Sequence, residues 1–217
     1  MKKFPSTWED MSNYVVHFTR GGSRYNDFTT IMKIYGEGCL KPKGKFGIGR
    51  NFAPPGCNQQ AVCFSEIPPG QWGRLVERRE TKFGLAFSKE FLVNKGGCPI
   101  WYAWKGTKPS DALFSLMKKS MSDSNAEVWK LTPFIDSPGR YGSSIYEFDW
   151  EREWRYLGNF EFSPEDVSFL LIPEKHHNAA ADFFHRCRAE GDLGPAYLCP
   201  YIDPSWSLQK IRNRLTP

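Results

Sequence analysis

Short apolar and β-branched runs, punctuated by glycine and proline, divide this 217-residue chain into candidate strands and helices. Tyr14–Thr19 (Tyr-Val-Val-His-Phe-Thr) predicts a strand with Val15, His17 and Thr19 on one face. Gly21-Gly22-Ser23 ends it. Phe28, Ile31, Met32 and Tyr35 then fall at helical spacing, with Ser23, Asn26 or Asp27 as the cap and Gly36 and Gly38 as terminators. Ala61–Ser65 and residues 83–87, 99–103, 167–172 and 196–201 predict further strands. Residues 109–122 predict a helix with Leu113, Leu116 and Met117 on one stripe, and 125–131 a second helix or a short strand. Residues 174–190 predict another helix, with Ala180, Phe183, Phe184 and Cys187 inward, and the tail from Pro204 reads as a packed extension. Residues 41–60 and 133–144 are rich in turn formers and read as irregular; a loop of the first one's length is usually functional or mobile.

These elements do not alternate strand–helix–strand, which argues against a doubly wound parallel sheet. The expected fold is one α+β domain over residues 1–217, with a strongly bent or split sheet core and flanking helices. At 16% aromatic, the composition suits sheets and flat-walled pockets. A net charge of +5 fits weak attraction to phosphate-bearing partners without showing nucleic-acid binding. Met1-Lys2-Lys3 leads into polar sequence, no window reaches the roughly 18 apolar residues of a membrane span, and the six cysteines include no Cys-x-x-Cys pair. A cytoplasmic protein with reduced thiols and no membrane association is expected.

Candidate chemistry concentrates in residues 151–157, Glu-Arg-Glu-Trp-Arg-Tyr-Leu. Read as a strand, they place Trp150, Arg152, Trp154 and Tyr156 on one face and Glu151, Glu153 and Arg155 on the other. Two carboxylates beside a guanidinium suit a site that handles developing positive charge. The plain alternative is a Glu153–Arg155 salt bridge on a solvated sheet, worth roughly 0–1 kcal/mol. Gly44-Lys45-Phe46-Gly47-Ile48-Gly49 lacks the spacing of a phosphate-binding loop and reads as a flexible basic loop, or as one that gates a substrate or touches phosphate. His176, His177, His185 and Cys187 lack a second ligand pair, so no metal is expected. A Cys63–His17 nucleophile pair is disfavoured because Cys63 sits in an apolar strand. His17 reads as a satisfied strand histidine or, next to a glycine turn, as part of a site.

In combination, Val16-His17-Phe18-Thr19, the glycine-terminated helix, Ala61-Val62-Cys63-Phe64-Ser65-Glu66, Phe83-Gly84-Leu85-Ala86-Phe87 and the late Glu-x-Glu-Trp-Arg strand resemble the AbiGi abortive-infection family. More distantly, over residues 14–173, their order resembles the DarT-type ADP-ribosyltransferase toxins. The resemblance implies an ADP-ribosyltransferase-like split sheet, with NAD as substrate. It implies transfer of ADP-ribose to a macromolecule, DNA or RNA first, by a toxin of phage defence that an antitoxin protein could oppose. Glu153 would stabilise the ribosyl cation and Glu151 would orient or deprotonate the acceptor. His17 and Thr19 would hold the adenosine ribose, Arg20 or Arg50 the pyrophosphate, and Phe64 or Tyr102 the nicotinamide. Ser65 resembles the second-strand Ser/Tyr position. The basic residues at 41–50 and Arg78-Arg79 could guide a nucleic-acid strand. The alternatives are a non-enzymatic binding or antitoxin module on the same fold, and a NAD glycohydrolase with water as acceptor.

Overall fold

The computed structural model describes residues 11–190 and 199–215. Met1-Lys2-Lys3, the Cys187 side chain and residues 196–198 of the last predicted strand lie outside the described residues. The fold is α+β. Among the described residues, seven strands carry the main sheet: β1 (Tyr14–Thr19), β2 (Ala61–Ser65), β3 (Phe83–Ser88), β4 (Cys98–Pro99), β5 (Glu153–Leu157), β6 (Val167–Leu171) and β7 (Tyr201–Ile202). They are hydrogen-bonded in the order β7-β6-β3-β1-β2-β5-β4. The sheet is mostly antiparallel: β1 pairs antiparallel with both β2 and β3, β6 with β3, and β5 with β4, while β6 and β7 run parallel.

The chain groups into two compact units. The first comprises residues 1–39, 64–92 and 161–217; the second comprises 40–63 and 93–160. In the first, α1 (Asp27–Glu37) starts where Asn26 Oδ1 accepts the Thr29 amide at 2.8 Å and stops at Gly38 in the left-handed conformation. Gly36 lies inside this helix and does not terminate it. Ile31, Met32 and Tyr35 turn inward, as their spacing predicts. Val15, Leu85, Phe87, Phe169, Leu171 and Ile172 are buried. α2 (Trp72–Arg79) anchors through the Trp72 indole, which donates to the Ile67 carbonyl at 3.0 Å. α3 (Lys89–Asn94) opens on Lys89, whose buried ammonium meets the Glu66 carboxylate at 2.8 Å.

In the second unit, α4 (Lys108–Lys119) and α5 (Val128–Leu131) carry two small apolar clusters. Ala103, Leu113 and Ile135 form one; Met117, Val128 and Trp129 form the other; Ile48 packs against both. The long basic loop is therefore pinned rather than open. The Ile48 amide donates to the Ile135 carbonyl at 2.8 Å, the Phe46 amide to the Gln59 carbonyl at 2.8 Å, and Gln59 Nε2 to the Trp129 carbonyl at 2.9 Å. Two of its glycines, Gly47 and Gly49, allow close packing against Thr132. A Cβ at Gly47, where φ is +81°, would lie 1.9 Å from the Thr132 carbonyl oxygen.

Three sequence expectations are corrected. Residues 99–103 are not one strand: Cys98–Pro99 pairs with β5, whereas Trp101–Tyr102 pairs parallel with Ile135–Asp136. Residues 133–144 are not irregular throughout, because Ile135–Asp136 is that partner and Gly139–Tyr141 forms a hairpin with Ser144–Tyr146. β5 starts at Glu153, not Glu151. Asp149–Glu151 is a 3-10 turn, and Arg152 sits at φ +45°, which breaks the side-chain alternation on which Glu151 and Glu153 were to share a face. The helix α6 (His177–Glu190) follows a short 3-10 turn, and the tail ends in α7 (Leu208–Leu215), packed through buried Ile211.

Gly47→Ala should lower stability by about 3 kcal/mol or more, combining a positive-φ residue with overpacking against backbone. Gly44→Ala, in open space, should change it by less than about 0.5 kcal/mol. Urea denaturation of the two variants checks the contrast.

Candidate functional site

The chemistry-bearing residues singled out in the sequence fall into two sets, one per unit. In the first unit, β1 runs His17-Phe18-Thr19 into the double-glycine turn. The half-buried His17 ring packs edge-on against Phe64 at 5.8 Å. Ser65 is buried, in register with Val16. Thr19 is buried with its hydroxyl lacking a hydrogen-bond partner, while its carbonyl accepts the Thr81 hydroxyl at 2.6 Å. Exposed Arg20 pairs with Glu80.

Asp27, considered from sequence only as a helix cap, organises this corner. One carboxylate oxygen accepts the Gly21 amide at 2.6 Å and the other accepts the Thr81 hydroxyl at 3.1 Å. Gly21 is required there, since a Cβ would meet the Tyr25 carbonyl oxygen at 2.4 Å. Asp27, Thr81, Phe83 and His176 line a cleft of about 750 Å³ on this unit. Its rim is mixed in charge, with Glu77, Glu80, Glu174 and Asp203 beside Lys82 and Lys175. His176 stacks on Phe28 at 5.1 Å. Among the described residues no group of His, Cys, Asp and Glu is disposed to hold a metal.

In the second unit the Glu153–Arg155 pair is buried, not solvated. The Arg155 side chain is 1% exposed. Its Nε donates to Glu153 Oε1 at 2.8 Å and its Nη2 to Glu153 Oε2 at 3.2 Å. Nη1 donates to the Pro133 carbonyl at 2.6 Å, and Nη2 also to the Asp136 carboxylate. The Phe46 ring centroid lies 5.2 Å from its Cζ. Asp136 receives a second, weaker cation: Arg50 Nη1, on a half-exposed side chain, at 3.9 Å. Burial holds the Asp136 carboxyl above the usual carboxylate range, against the pull of Arg155. Burial, and then the Glu153 carboxylate, push the Cys63 thiol up, so it is no activated nucleophile. The Tyr102 hydroxyl accepts the Glu153 amide at 2.9 Å, and burial raises its pKa as well. Glu151 is buried in the turn before β5.

Of the predicted residues, the structure thus gathers Glu153, Arg50 and Tyr102 around Arg155, and His17, Thr19, Arg20, Phe64 and Ser65 around β1. Sequence reading missed Asp136, Asp27 and His176 as members of these clusters. Asp136 stands 19 positions before Arg155, beyond any local spacing rule.

The surface of the second unit is distinctive. Among the described residues, every exposed large hydrophobic side chain belongs to it, including Phe52, Trp101, Trp104, Leu131, Ile145 and Tyr146. That unit holds thirteen Lys and Arg against eight Asp and Glu, so the chain's whole net charge of +5 resides there and the other unit is neutral.

An α+β chain with a basic, apolar-surfaced unit and an arginine-locked acid cluster is what the geometry defines. A family model described as "Putative abortive phage resistance protein AbiGi, antitoxin" matches residues 55–183, more than half of the chain. The chain belongs to the AbiGi family. No curated protein and no solved structure matches it. The antitoxin description overturns the expectation of an ADP-ribosyltransferase toxin that cleaves NAD and modifies nucleic acid, and favours the non-enzymatic antitoxin alternative. The comparisons add nothing to the DarT side of the resemblance. No helix among the described residues is long and apolar enough to cross a membrane.

Replacing Arg155 with Met should cost about 3–5 kcal/mol, because two carboxylates lose a buried partner. Asp136, already held high by burial, loses the charge that restrains it. A carboxyl whose folded pKa exceeds its unfolded value binds more protons when folded, so stability falls as pH rises. The deficit of Arg155→Met should therefore be largest at neutral pH and shrink as the pH is lowered toward the Asp136 titration. Denaturation midpoints of wild type and variant across that range test this.

Proposed function

We propose that this chain is the antitoxin of a phage-defence toxin–antitoxin pair and that it neutralises its toxin by binding it as a protein, with no chemistry of its own. The observation that carries the reading is the pairing of an antitoxin family with a surface built for association. Exposed aromatic and aliphatic side chains are concentrated on one unit together with all of the net positive charge. Large apolar side chains left exposed in number on one unit suit an interaction surface. Aromatic anchors with a basic surround supply both affinity and electrostatic steering of an oppositely charged partner.

The acid cluster supports the same reading. Both oxygens of the Glu153 carboxylate accept from Arg155, and the same guanidinium holds Asp136 and the Pro133 carbonyl. Such a cluster fixes three stretches of backbone relative to one another. Its role here is to hold the second unit's surface in shape for a partner.

Removing this chain from its own phage-resistance locus should arrest or slow growth of the host, and supplying it in trans should restore growth. Unchanged growth on removal would count against the antitoxin role. Glu153→Gln keeps one acceptor for Arg155 and sets an amide donor against it, so it should lower the melting temperature, yet at growth temperatures below that transition it should still neutralise, whereas a catalytic carboxylate would lose its activity outright.

A further inference from the structure

Residues 139–146 form a small hairpin whose placement is at odds with a purely structural role. Gly139 pairs with Tyr146, Arg140 with Ile145 and Tyr141 with Ser144, and Gly142 at φ +62° makes the turn. Cross-strand partners project to the same face. One face therefore carries Tyr141 and Tyr146, with ring centroids 5.7 Å apart, and the other carries Ile145 beside Arg140. Tyr141 is 41% exposed, Ile145 54% and Tyr146 51%, so neither face is covered by the protein. Two short strands alone are marginal in water. This pair is held at its base instead: the Tyr141 hydroxyl donates to the Ser137 carbonyl at 2.8 Å, and the Lys105 amide donates to the Pro138 carbonyl at 2.8 Å. Lys105 Nζ lies 4.0 Å from the centroid of the Tyr141 ring. The result is a braced tip with apolar side chains on both sides.

From this geometry we infer that the hairpin is the wedge by which the chain grips an acidic surface of its protein partner. Resting on the antitoxin reading above, the inference names the gripping element and the partner's charge. Three observations choose that occupant. Large side chains fixed in advance lose little freedom on binding, which suits anchors that enter a pocket. Arg140 forms no ion pair among the described residues, so one cation on the hairpin is available to a carboxylate outside this chain, while the Lys105 ammonium lies over the Tyr141 ring. Beside the hairpin, Arg140 and Lys105 are matched by Glu147 and Asp149, but the unit that carries it holds the chain's entire net positive charge, which steers an acidic partner toward this surface. Ile145, Tyr141 and Tyr146 outnumber the single arginine among the hairpin's exposed side chains, which favours a protein surface over a phosphate backbone.

The test uses the full chain and the purified toxin from the same phage-resistance locus, with affinity read by calorimetry and neutralisation by growth. Ile145→Asp combined with Tyr146→Ser should weaken binding at least 100-fold and abolish neutralisation, while melting temperature and circular dichroism stay at wild-type values. Arg140→Glu alone should slow association about tenfold at low salt, an effect that fades as salt is raised. Lys33→Ser, on an exposed side chain of α1 in the first unit, should leave affinity within about threefold of wild type, as expected away from hot spots. Wild-type affinity in the hairpin variants would overturn the wedge while leaving the antitoxin reading standing. A wild-type chain that neither binds nor neutralises the toxin would remove both. Self-association that the hairpin variants abolish would overturn the acidic partner in favour of a second copy. Tight duplex-DNA binding lost in Arg140→Glu, without toxin binding, would overturn it in favour of nucleic acid.

Discussion

A guanidinium cut off from water must have its donors matched by the protein, and Arg155 meets that demand with two carboxylates and one backbone carbonyl. Those acceptors come from β5, from the 3-10 turn at Thr132–Phe134, and from the Ile135–Asp136 strand. Each is irregular or short and would have little reason to hold its position alone. The same stretch of backbone receives the basic loop, through the Ile48 amide on the Ile135 carbonyl and the close approach of Gly47 to Thr132. It also continues into the hairpin, whose base is tied by Ser137 and Pro138. One buried cation thus organises the part of the second unit from which the exposed aromatic side chains project.

This arrangement builds the most chemically suggestive stretch of the sequence into a buried ion-pair cluster. Glu153 has both oxygens committed to Arg155. The neighbouring thiol, Cys63, is pushed away from ionisation by burial and by the adjacent negative charge. Glu151, the second acid of the motif, is carried off the strand by Arg152 in the left-handed conformation. The polar cluster lies within the stretch matched by the antitoxin family model, residues 55–183, except for its Arg50 and Phe46 neighbours.

The resemblance to the AbiGi family was legible in the order of a few short motifs, and the family match over residues 55–183 supports it. Function was misread at the next step. A Glu-x-Glu-Trp-Arg pattern is compatible with a catalytic strand and with a buried ion pair, and periodicity cannot choose between them because the choice lies in what faces Arg155. Asp136 and the Pro133 carbonyl do, 19 and 22 positions away. Likewise, Asp27 reads as one of several possible caps until Gly21 and Thr81 are seen on its two oxygens.

Local sequence settled the elements whose cause is local. β1, α1 with its Asn26 cap and Gly38 stop, β2, β3 and β6 follow from apolar period, β-branching and left-handed glycine, each a preference acting over a few residues. The mixed α+β class followed from their irregular order. Folding in three dimensions settled the rest: that residues 98–102 split between two sheets, that the basic loop is clamped, that Arg155 is sealed from water, and that apolar side chains and positive charge collect on one unit. Those outcomes depend on pairs distant along the chain, whose mutual burial and hydrogen bonding no short window of residues encodes.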